Sequence, residues 1–88
     1  MAAATAELSI AEECYARAVE AGFTQKELNS LKRVLSKKSD AQILAGIAKL
    51  SGVRSKINAE EAVGLLYSVT DVQMVDLEWS VKIADGWD

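Results

Sequence analysis

Val75-Asp76-Leu77-Glu78-Trp79-Ser80-Val81-Lys82-Ile83 alternates apolar and polar residues at every step. A period of two places Val75, Leu77, Trp79, Val81 and Ile83 on one face of a β-strand, with Asp76, Glu78, Ser80 and Lys82 on the other. This pattern predicts a single strand over about residues 74–84. A lone strand leaves its backbone N–H and C=O groups unpaired, so it must pair with another chain or pack on the rest of this one. Burying its five apolar side chains would stabilise an assembly by roughly 7–15 kcal/mol gross, at ~1.5–3 kcal/mol each. Chain entropy offsets much of that. Asp85-Gly86 follows as a tight-turn signal that predicts the start of a hairpin, with Trp87 just beyond it as a further contact.

Upstream, the sequence reads as helix. Ser9-x-x-Glu12, Thr24-x-x-Glu27, Ser39-x-x-Gln42 and Asn58-x-x-Glu61 each set a capping side chain three residues before Glu or Gln. The cap oxygen takes a free backbone N–H of the first turn, and the later side chain reaches back to the cap. Four helices follow, over about 10–21, 25–36, 40–50 and 59–69. Their predicted inward residues are Ala11, Cys14, Tyr15, Ala18 and Val19; Leu28, Leu31, Val34 and Leu35; Ile43, Leu44, Ile47 and Leu50; and Val63, Leu66, Tyr67 and Val69. Gly22 and Gly52 mark two C-terminal ends. Gly46 and Gly64 sit inside helices, where each costs up to ~1 kcal/mol against Ala; the expected return is close approach of a neighbouring helix. The predicted fold class is mainly α: a tail at 1–8, a compact four-helix bundle at 9–70, and a single C-terminal β-strand and turn at 71–88.

The chain has 88 residues, half of them apolar, which suits one small folded domain. Its net charge of −3 hides a pattern. An acidic first segment and an acidic last one flank a basic middle, in which Lys26, Arg33, Lys37 and Lys38 form a candidate docking patch. Helix 2, the Lys37-Lys38-Ser39 turn and helix 3 mimic helix-turn-helix spacing. Helix 3, however, offers mainly Asp40, Gln42 and Lys49 outward, a poor set for reading base edges. Nucleic acid is therefore not the expected partner.

Chemistry-bearing motifs are scarce. There is no histidine, and the five glycines cannot be written as a phosphate-binding loop. The neighbouring pairs Glu12-Glu13 and Glu60-Glu61 point about 100° apart on a helix and make no acid–base dyad. Glu13 and Arg17 read as an i,i+4 surface pair. Cys14, the one cysteine, falls on an apolar helix face and reads as a small core residue. The expectation is a protein without enzymatic activity, cofactor, metal or small-molecule substrate. Met1-Ala2-Ala3-Ala4-Thr5 has no basic segment leading into an apolar run, and Ala62–Tyr67 is too short to span a bilayer. The expected location is intracellular, in the cytoplasm.

Residues 75–83 resemble the opening strand of the COMM domain, in which an apolar residue, Asp, an apolar residue, an acid and Trp lead into alternating apolar positions. Asp76, Leu77, Glu78, Trp79, Val81 and Lys82 carry the likeness, and the helical residues 9–69 match in kind the N-terminal part of that family. The chain resembles a truncated COMM-family scaffold subunit. The resemblance implies a non-enzymatic adaptor that pairs into homo- or hetero-oligomers, with Trp79 as an interface anchor.

Two functions compete at this level. The first is a protein–protein interaction module assembling through Val75, Leu77, Trp79, Val81, Ile83 and Trp87, with a protein partner or a second copy. The second is a small standalone inhibitor or regulator, of the kind phages encode, binding a larger machine through its charged helical surface.

Overall fold

Each predicted cap chemistry starts a helix. A computed structural model of the chain describes residues 8–86, in which α1 runs Ile10–Glu20, α2 Gln25–Ser36, α3 Asp40–Ser51, α4 Ala59–Leu66, α5 Asp71–Met74 and α6 Leu77–Ile83. Ser9 accepts from the Glu12 N–H at 3.1 Å, and the Glu12 carboxylate accepts from the Ser9 N–H at 2.9 Å. Thr24 with Glu27, and Asn58 with Glu61, close in the same reciprocal way. Ser39 caps α3 through the Gln42 N–H alone, because the Gln42 side chain is engaged elsewhere. Gly22 and Gly52 take positive φ, +91° and +78°, and end α1 and α3 as read.

The C-terminal strand is not there. Residues 77–83 are helical, and no strand occurs among the described residues. The reason lies in the alternation itself. On a helix, residues two apart point about 200° apart, whereas residues four apart differ by only about 40°. A strict period-two run therefore splits into two opposite stripes. Leu77 and Val81 continue inward from Met74, and all three are fully buried. Val75, Trp79 and Ile83 form the other stripe and face outward. A fifth capping box, Thr70-x-x-Gln73, starts this segment: Thr70 accepts from the Gln73 N–H at 3.1 Å, and Gln73 accepts from the Thr70 N–H at 2.9 Å. Among the described residues no hairpin forms at Asp85-Gly86 either. The chain leaves α6 extended at Ala84 and passes Gln42, whose amide donates to the carbonyls of Val81, at 2.7 Å, and Ala84. Trp87 lies outside the described residues.

Helix α3 is the centre of the bundle. It packs most extensively on α6 and also against α4 and α1; α2 bridges α1 and α6. The core joins Cys14 and Ala18, Leu28, Leu31 and Leu35, Ile43, Ile47 and Ala48, Ala62 and Leu66, and Met74, Leu77 and Val81. Of the two helical glycines, Gly46 does what was expected of it. A Cβ there would fall 2.6 Å from the Val81 Cα, so its absence lets α3 and α6 touch. Gly64 has nothing within 4 Å of the same point and faces solvent. The radius of gyration, 11.9 Å, matches the roughly 12 Å of a folded chain this long.

Three side chains depart from the helical-wheel reading. Val19 and Tyr67 are exposed. Tyr67 lies past the end of α4, which stops at Leu66, three residues before the expected end. Arg17, expected on the surface with Glu13, is 5% exposed. Its Nε donates to the Leu66 carbonyl at 2.8 Å and its Nη2 to the Val69 carbonyl at 2.9 Å, while Nη2 also lies 3.0 Å from the Asp71 carboxylate. It thus satisfies the carbonyl of the last α4 residue and one from the turn that follows, and holds the α4–α5 turn against α1. The Tyr67 ring covers the guanidinium with its centroid 5.8 Å away.

Candidate interaction surface

Helix geometry divides the predicted contact residues by role. Leu77 and Val81 hold α6 in the core and cannot meet a partner. Val75, Trp79 and Ile83 stand outward, 62%, 61% and 42% exposed. Val72, 80% exposed, extends the row by one helical step below Val75. Sequence reading missed Val72 because it lay before the alternation began; Thr70-x-x-Gln73 was the signal that would have put it on a helix.

The polar residues that a strand would set on one face also separate. Ser80 is buried and Asp76 is exposed. Glu78 accepts from the Ser30 hydroxyl of α2 at 2.9 Å and pairs with Lys82, one turn on, at 3.3 Å. The Ser30–Glu78 hydrogen bond ties α6 to α2, and with Lys82 these side chains line a groove between the two helices. At one end, about 400 Å³ is lined by Phe23, Lys26, Glu27, Ser30, Val75, Glu78, Trp79 and Lys82. At the other, about 290 Å³ is lined by Ser30, Arg33, Val34, Lys37 and Lys38, with Glu78 and Lys82 shared. Two of the apolar candidates, Val75 and Trp79, and the basic residues of the second helix therefore line one groove, while Ile83 lies outside it.

Its electrostatics follow from the pairing. Five cations line the groove, Lys26, Arg33, Lys37, Lys38 and Lys82, against two carboxylates, a local net charge of +3. Both carboxylates are engaged: Glu27 closes the cap of α2 at 2.7 Å from the Thr24 N–H, and Glu78 holds Ser30 and Lys82. Lys26, Arg33, Lys37 and Lys38 make no ion pair among the described residues.

The remaining candidates settle elsewhere. Cys14 is fully buried, and burial, reinforced by the Glu13 carboxylate, pushes its thiol up to about 12. That is a core residue rather than a nucleophile. Among the described residues no three His, Cys, Asp or Glu side chains gather as a metal-binding group, and no helix is long and apolar enough to cross a membrane. No family model matches the chain, and comparison with curated proteins and with solved structures found no match.

Proposed function

We propose that this chain is a non-enzymatic protein–protein interaction module that engages its partner through the outward face of α5 and α6. The observation that carries the reading is the row Val72, Val75, Trp79 and Ile83, exposed in a chain whose other large apolar side chains are mostly buried. An exposed Trp flanked by aliphatic side chains is the composition of an interface anchor, and large apolar side chains left in water favour association. The adaptor role implied by the COMM resemblance is carried forward on this face alone. Strand pairing has no part in it, because residues 77–83 are helical. The reading as an inhibitor or regulator of a larger machine draws on the same place, since Lys26 of α2 borders Trp79 and the other basic residues of α2 follow along the groove.

Photo-crosslinking in the native source tests the proposal. A reactive side chain at Val75 or Trp79 yields a discrete protein adduct, while the same group at Glu60, exposed on α4, does not. Absence of an adduct at Val75 and Trp79, or adducts equally strong at Glu60, overturns it.

A further inference from the structure

We infer that the occupant of the α2–α6 groove is an acidic segment of another protein that carries an apolar anchor. This rests on the interaction-module reading and names its partner class. The groove has two chemically different ends. Phe23, Val75 and Trp79 form an apolar mouth, and the groove then runs along Arg33, Lys37 and Lys38.

Charge complementarity selects the occupant. The chain as a whole is −3, yet the groove is +3, and its two carboxylates are already hydrogen-bonded within the fold. The cations left without partners sit on one side of α2, at positions 26, 33 and 37, so an extended or helical segment can meet them in succession. An apolar side chain packed on Trp79 sets the register, and carboxylates spaced along the segment meet the basic rim. A purely apolar ligand would leave Lys26, Arg33 and Lys37 facing it without compensation. Duplex nucleic acid would use the cations but not the apolar mouth.

The test is selection of a displayed random-peptide library on the immobilised full-length chain, followed by measured binding of the enriched peptides. The expected result is acidic peptides with an aliphatic or aromatic anchor. Their affinity falls about tenfold or more in the K26E/R33E/K37E variant, falls likewise in Trp79→Ala, and weakens with added salt. Circular dichroism and melting of both variants confirm that they stay folded. Enriched peptides without acidic bias, or unchanged binding to the charge-reversed variant, overturn the acidic partner while Trp79 dependence keeps the interaction module. Loss of Trp79 dependence overturns both. A duplex DNA fragment that displaces the peptides at physiological salt, or a dimer in sedimentation that Trp79→Asp dissociates, replaces the acidic segment with nucleic acid or with a second copy and also overturns the inference.

Discussion

Val81 of α6 lies so close to Gly46 of α3 that a Cβ on Gly46 would fall 2.6 Å from both the Val81 Cα and its Cγ2. The main interface of the bundle is therefore built on a missing side chain. It lets α6, a segment of strong β-propensity, lie directly on α3 with Leu77 and Val81 inward and Trp79 outward.

Two glycine substitutions give opposite results. Gly46→Ala forces α3 and α6 apart and costs about 1–3 kcal/mol by overpacking, outweighing a helix-propensity gain of up to about 1 kcal/mol. Gly64→Ala meets nothing within 4 Å and stabilises by about 0.5–1 kcal/mol. Urea unfolding midpoints of the two variants, measured side by side, check the pair.

Helix and strand readings of residues 75–83 part at Leu77 and Trp79. On a strand the two share a face, and both substitutions would do similar harm. On α6, Leu77→Ala costs about 2–5 kcal/mol as a core truncation, whereas Trp79→Asp changes stability by only about 0.5 kcal/mol. Thermal melting followed by far-ultraviolet circular dichroism separates the outcomes.

Arg17 acts as an internal clamp. Arg17→Met leaves the Leu66 and Val69 carbonyls without their donor, at a cost of about 1–3 kcal/mol for each group that water cannot reach. Arg17→Lys recovers only part of this, since an ammonium cannot reproduce the planar fork that reaches both carbonyls. Asp71→Asn costs less than about 1 kcal/mol, because that carboxylate is largely exposed. Denaturant titration of the three variants should rank them in that order.

Cys14 sets an alkaline limit. Its thiol is held up to about 12 in the folded chain, against an ordinary value of 9.0. Above about pH 9 the unfolded chain loses the proton while the folded chain keeps it, so unfolding releases protons and stability falls with rising pH, by up to about 1.4 kcal/mol per unit. Below that window the thiol is protonated in both states and contributes no slope. Cys14→Ala removes this component, seen as a shallower decline of the urea midpoint at alkaline pH. In the parent chain a thiol reagent at mildly alkaline pH should react only at the rate of unfolding.

The sequence by itself determined the starts of α1 to α4, the ends of α1, α2 and α3 to within a residue, and most of the core. The caps at Ser9, Thr24, Ser39 and Asn58, and the glycines at 22 and 52, act on backbone groups within a few residues. The inward faces of α2 and α3 follow from 3.6-residue spacing. Local chemistry of that kind is legible without knowing the fold. Tertiary structure decided the rest. The alternation at 75–83 is compatible with one buried strand face or with two opposite helix stripes; the Thr70-x-x-Gln73 box pointed locally to helix, and the close approach of Val81 to Gly46 seats one stripe in the core. Arg17 looked solvated because the carbonyls it serves, Leu66 and Val69, lie 49 and 52 residues away. The meeting of Trp79 with the cations of α2 was likewise unreadable along the chain, since nothing near residue 79 or residue 26 reports that the bundle sets them on either side of one groove.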